Sequence, residues 1–143
     1  MKKVFYNSWI ARHMLLAGYS TITLMAWVFT KLSKEEVRQS TINHECTHAR
    51  QWMELAVASG LLIWLGMLAF DLSAWWLVLS TLTFYVWYVL EYLVRRFIGL
   101  FRNGKNGQKE AYRLVSFEQE ARLAEKDNNY LENSTYFAWM HFY

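Results

Sequence analysis

At 143 residues the chain is one domain's worth, and at 55% hydrophobic and 18% aromatic it carries more apolar side chain than a soluble domain of that size usually does. Its single cysteine, Cys46, excludes an intramolecular disulfide framework. A net charge of +3, with basic and aromatic residues not interleaved, gives no footprint for nucleic acid, and the absence of proline suits long unbroken helices.

The chain opens Met1-Lys2-Lys3-Val4-Phe5, basic but with no small-residue cleavage site after a short apolar core, so no cleaved signal peptide is expected. Met14 to Thr30 follows, 17 residues without a charge. Within it, residues 20–30 are rich in β-branched and aromatic types and partly alternate, which predicts one or two short strands. A membrane span here would also set Lys2 and Lys3 outside, against the usual charge bias.

Next comes Thr41-Ile42-Asn43-His44-Glu45-Cys46-Thr47-His48, which contains H-E-x-x-H. A helix starting near Ser40 or Thr41, either of which can cap it, places His44 and His48 on one face one turn apart. Two imidazoles so placed reach one zinc ion at about 2.0–2.1 Å each. Glu45 stands beside the first ligand, where its carboxylate can take the proton of a water acidified by the metal. Cys46 points away from that face and reads as a small packing residue, and Asn43 as a helix-start residue. Gln51, three residues after His48, shares the motif's face; it reads as an ordinary surface glutamine, with orientation of a ligand or substrate as the functional alternative.

Two charge-free runs follow, Leu55 to Phe70 over 16 residues and Leu72 to Leu90 over 19, separated only by Asp71. A span needs about 20 apolar residues. The two runs therefore predict a membrane hairpin turning at Asp71-Leu72-Ser73, the first run gaining length from the motif helix that leads into it. Trp75 to Leu90 has no polar stripe of the kind a soluble helix shows, only Ser80, Thr81, Thr83 and two tyrosines. Arg95, Arg96, Arg102, Lys105 and Lys109 follow the second run, so both ends of the hairpin are expected on the cytoplasmic side. Trp75, Trp76, Tyr85, Tyr88 and Tyr92 are read as interfacial anchors, with some of them facing lipid or the other helix.

Asn103-Gly104-Lys105-Asn106-Gly107 predicts a loop. Ser116-Phe117-Glu118-Gln119 then reads as a capping box opening a helix to about Asn128, and the aromatic tail Asn133 to Tyr143 is expected to pack back on the body or the bilayer surface. A catalytic zinc site needs a third protein ligand. The candidates are Glu110, Glu118, Glu120, Glu125, Glu132 and His141. Glu118 and Glu120 share the predicted helix but stand two residues apart, so both cannot face one ion. Tyr112 or Tyr130 is a candidate oxyanion donor.

The stretch HECTHARQ, from His44 to Gln51, resembles the HExxHxxQ opening of a group of small bacterial zincin-like membrane proteins. In those an apolar segment and then a pattern like F-E-x-E-A follow, and Phe117-Glu118-Gln119-Glu120-Ala121 stands in that place here. The order also resembles the wider gluzincin membrane peptidases, whose second block is E-x-E-A-D with the first Glu on zinc. The resemblance spans roughly residues 20–132 and implies Glu118 as the third ligand, with Glu120 as the alternative. Arg122 departs from it, standing where those peptidases usually carry Asp, so a supporting carboxylate must come from elsewhere if there is one. In gluzincin-like sites an extended edge near the metal receives the substrate by strand addition, a role residues 20–30 can fill.

The expected fold is a mainly α membrane protein forming one zincin-like domain over 1–143. It divides into an N-terminal β or interfacial segment (1–39), the motif helix with its transmembrane hairpin (40–102), and a loop with the C-terminal helix that carries the third ligand (103–143). The expected function is a zinc metallopeptidase cutting peptide or protein substrates at the cytoplasmic face of the bacterial inner membrane. Membrane lipid, and either a second copy or a partner protein, are its expected companions. Two other classes compete: a non-catalytic membrane protein stapled by zinc, and a membrane interaction module with no metal.

Overall fold

The computed structural model describes residues 3–103 and 107–143. The expected loop at 103–107 falls mostly on residues 104–106, outside that description. Helix dominates, with one small sheet near the N-terminus. By contact density the chain divides into two units, 1–50 with 120–138, and 51–119 with 139–143.

In the first unit, β1 (Val4–Phe5), α1 (Trp9–Met14), β2 (Thr21–Leu24) and β3 (Trp27–Thr30) precede the long helix α2 (Gln39–Phe70). The expected strands are present as the β2–β3 hairpin, paired antiparallel from Thr21↔Thr30 to Leu24↔Trp27. Its two-residue turn, Met25-Ala26, sets Met25 at φ 55°, the left-handed backbone that such tight hairpins need. Local pattern did not reveal β1, which joins in parallel through Val4↔Val28 and Phe5↔Phe29, a pairing made across more than twenty residues of chain. The strand order β1-β3-β2 leaves β2 at an edge. Val28 packs with Val37, Ile42 and Cys46, so the first turns of α2 and the sheet share one core, with Val4, Tyr6, Leu32 and Leu131 against it. Cys46 thus fills a packing position, as expected.

Ahead of α2 the Ser33 backbone N–H donates to Glu36 Oε2 at 2.9 Å and closes a turn that leads into the helix. The Ser33 backbone, and then its hydroxyl, hold the Glu36 carboxyl below its ordinary range.

In the second unit α2 runs on to Phe70, and Asp71, at φ 51°, turns the chain before a short 3₁₀ turn (Ala74–Leu77) and helix α3 (Val78–Asn103). The turn falls where the sequence places it. Within the hairpin Trp52 Nε1 donates to the Thr81 carbonyl at 2.9 Å, and Thr83 Oγ1 to Ser59 Oγ at 3.0 Å. Gly60 faces Ser80, whose Cβ would lie 3.6 Å from an added methyl, so the helices approach closely there. Both helices are long and apolar enough to cross a membrane, and only 11% of the most apolar window of each is buried within the protein.

Beyond α4 (Gly107–Arg113), helix α5 spans Ser116–Ala124 and α6 spans Tyr130–Asn133. Two expectations are corrected here. The helix ends at Ala124 rather than near Asn128, and Ser116 does not form the expected capping box. Its N–H and hydroxyl instead donate to the Glu91 carboxylate of α3, at 2.9 and 2.7 Å. A fully buried serine has no water to bond and takes the carboxylate oxygens that face it. In the tail, Trp139 is 2% exposed and donates to Glu54 Oε2 at 3.0 Å, while Tyr143 Oη donates to Glu91 Oε2 at 3.1 Å.

Candidate metal centre

The H-E-x-x-H motif lies two turns into α2, where no proline, glycine or β-branched run interrupts the helix. The i, i+4 spacing stacks the two rings 4.7 Å apart, edge to face, and brings His44 Nε2 and His48 Nε2 to 3.1 Å of each other. Two nitrogens bound to one tetrahedral ion at the usual lengths stand about 3.3–3.4 Å apart, so the pair already has ligand spacing. His44, His48 and Glu118 form a group in which one donor atom from each lies within 4.8 Å of the others. Glu118 is 1% exposed and His48 8%, while the His44 side chain keeps 15% of its surface, so the group is covered on the Glu118 and His48 side and reached from the His44 side.

The other face of His44 is engaged as well. Its Nδ1 lies 2.7 Å from Glu125 Oε1. An ionised carboxylate only accepts, so Nδ1 carries the proton and Nε2 keeps its lone pair for a metal. Glu125, just past the end of α5, is thus the carboxylate behind His44. Two imidazole nitrogens, a buried carboxylate and a carboxylate behind the first imidazole suit a zinc ion in an open site.

Glu45 is outside the ligand group. Its Oε2 accepts from Thr23 Oγ1 of edge strand β2 at 2.6 Å, while its backbone carbonyl lies 3.0 Å from the same hydroxyl. One hydroxyl proton serves one of these at a time, and the shorter bond to the charged oxygen wins. The candidate base is therefore tied to the strand edge.

Glu120, the alternative ligand, turns elsewhere. It is fully buried and meets Arg50 Nη2 at 2.6 Å, and Arg50 Nη1 continues to Ser134 Oγ at 2.8 Å and the Leu131 carbonyl at 3.3 Å. Two residues apart on α5 means about 200° of rotation, which separates the two glutamates. Gln51 is no surface residue: it is completely buried, and its Nε2 donates to the Phe117 carbonyl at 3.1 Å. Tyr130 lies under the Arg50 guanidinium, 5.9 Å from charge to ring centre, and Tyr112 is 41% exposed with its ring 6.5 Å from that of Tyr88. Asn43 is 1% exposed and joins Gln39 and Asn128 in a hydrogen-bonded chain at 2.8 and 3.1 Å.

Sequence reasoning missed three members of the surroundings. Tyr88, read as an interfacial anchor, donates through Oη to Glu118 Oε1 at 2.8 Å. Glu91 anchors Ser116, two residues before Glu118. Thr23 holds Glu45. A signal for the first two was present. Glu91 is an ionisable residue directly after a 19-residue apolar run, a position that marks function by default. Tyr88 lies three residues before it, on the same helical face. No protein-family model matches the chain, and neither a curated protein nor a solved structure matches it.

Proposed function

We propose that the protein is an integral membrane zinc metallopeptidase, with His44, His48 and Glu118 as ligands and Glu45 as the general base. The observation that carries this reading is the convergence of two histidine Nε2 atoms and a buried carboxylate, with the motif glutamate next to that group and outside it. A bound zinc ion supplies Lewis-acid chemistry, making water nucleophilic near neutral pH and polarising a carbonyl. The chain's own residues do the rest. Glu125 holds the proton on His44 Nδ1, and Thr23 holds Glu45 by Oε2, leaving Oε1 to take a proton from the attacking water and pass it to the amide nitrogen. The β2 edge offers backbone groups to an extended peptide, which supports a peptide as the substrate class. Two long helices with apolar surface turned away from protein support a bilayer location, and the cationic residues after α3 support a cytoplasmic site in a bacterial inner membrane.

The test is the zinc content of detergent-purified protein together with turnover of a peptide library. Wild type should carry about one zinc per chain, lost in His44→Ala and Glu118→Ala and kept in Glu120→Ala. Glu45→Gln should keep its zinc and lose about 10²–10⁴-fold in turnover. Zinc without hydrolysis in wild type would leave a metal staple, and no zinc at all would leave an interaction module.

A further inference from the structure

Three consecutive residues, Ser116-Phe117-Glu118, are each held by a polar side chain from the apolar hairpin. Glu91 of α3 takes the Ser116 N–H and hydroxyl at 2.9 and 2.7 Å. Gln51 of α2 donates to the Phe117 carbonyl at 3.1 Å. Tyr88 of α3 donates to Glu118 Oε1 at 2.8 Å. The α3 members are spaced i, i+4 and i+7 with Phe84, whose ring packs 5.1 Å from that of Phe117, so one stripe of α3 cradles the start of α5. The Tyr88 ring lies parallel to the Phe117 ring, at 5° and 6.0 Å, which sets the direction of its hydroxyl. Ser116 and Phe117 are completely buried and Glu118 nearly so. A glutamate carboxylate on its own has two side-chain torsions and a broad terminal rotation to settle. Here the backbone is pinned on one side by Gln51 and Glu91, and one carboxylate oxygen is pinned by Tyr88.

We propose that Tyr88 is the positioning residue for the third metal ligand, supplied by a membrane-spanning helix, so that packing of the hairpin sets the metal affinity of the site. This rests on the metal reading above. By holding Oε1, Tyr88 fixes the carboxylate plane before a metal arrives and presents the ligand in one orientation. Partners of this kind, hydrogen-bonded to a metal ligand, are worth about 10–100-fold in metal affinity when removed.

The test uses the full chain in detergent and reads metal binding rather than turnover. Zinc affinity by chelator competition and the visible absorption of the cobalt-substituted protein are measured for wild type, Tyr88→Phe, Tyr85→Phe, Glu118→Gln, and Tyr88→Phe combined with Glu118→Gln. Tyr88→Phe should bind zinc about 10–100-fold more weakly and shift the cobalt spectrum, while Tyr85→Phe leaves both unchanged. On the Glu118→Gln background, Tyr88→Phe should add nothing to the loss of affinity, because the carboxylate ligand that Tyr88 positions is already gone. A general packing defect would subtract equally on both backgrounds, and that result overturns the proposal, as does a Tyr88→Phe protein with wild-type affinity and spectrum. If wild type binds zinc through His44, His48 and Glu118 while Tyr88→Phe changes nothing, the metal site stands and only the positioning role falls. If wild type binds neither metal, both fall together.

Discussion

Helix α2 obeys two opposite burial rules along its length. From Asn43 to Glu54 most of its polar residues are inside: Asn43, Thr47, His48, Arg50, Gln51 and Glu54 are all 9% exposed or less, with His44 and Glu45 half-buried. Beyond Gly60 its apolar residues are outside: Leu61, Leu62, Trp64, Leu65, Leu68 and Phe70 are 48% to 76% exposed. Each buried polar group that lost its partner would cost about 1–3 kcal/mol, and the first half answers with Asn43–Asn128, Arg50–Glu120, Gln51–Phe117 and Glu54–Trp139 bonds. In the second half, six large side chains facing water would forgo burial worth on the order of 10 kcal/mol, comparable to a whole domain's stability. Lipid around that half removes the penalty, as the proposed bilayer location requires. On the proposed bilayer location this one helix meets two solvents, and its candidate metal ligands lie in the half surrounded by protein.

That contrast can be broken at several points. Arg50→Leu removes one partner of the buried Arg50–Glu120 ion pair, so denaturant unfolding in detergent should show a loss of about 3–5 kcal/mol. A loss below 1 kcal/mol would mean that water reaches the polar half. Leu62→Asp places a carboxylate mid-way along the apolar run Leu55 to Phe70, where Leu62 is 70% exposed. If that half faces lipid, a membrane-insertion assay should register a penalty of about 2.5–3.5 kcal/mol. If it faces water, the same change should stay within about 0.5 kcal/mol, and the contrast between the halves would dissolve.

Gln51→Leu leaves the buried Phe117 carbonyl without that donor, and thermal unfolding should report about 1–3 kcal/mol. The smallest effect lies just ahead of α2. Glu36 titrates below its ordinary value of 4.5 because the Ser33 backbone and hydroxyl favour its ionised form. Its stabilising contribution is therefore present above the ordinary carboxylate range and is lost as pH falls through the lowered value. Glu36→Gln should melt slightly below wild type at neutral pH, and the gap should close on acidification well below pH 4.5. A gap that persisted unchanged would assign the effect to shape rather than charge.

Much of this was legible from short range. His44 and His48 share a face because helical geometry repeats every 3.6 residues, and strands β2 and β3 lie in the β-rich run that predicts one or two of them. The turn at Asp71 follows from the one charge between two apolar runs. Where local reading failed, a distant partner outbid a near one. The Ser116 hydroxyl went to Glu91, 25 residues away, rather than to its own helix start. Gln51 looked like a surface residue because its one visible feature, polarity, is answered by a carbonyl 66 residues on.

The sequence by itself determined the chemistry of the donors, the helix that spaces two of them and the apolar lengths that follow, because each is a property of neighbouring residues. Only the tertiary structure decided that Glu118 joins the histidines while Glu120 turns to Arg50, that Glu125 backs His44, and that Tyr88 reaches Glu118. Those choices link residues 30 to 81 apart in the chain, where packing rather than any local period sets which side chains meet.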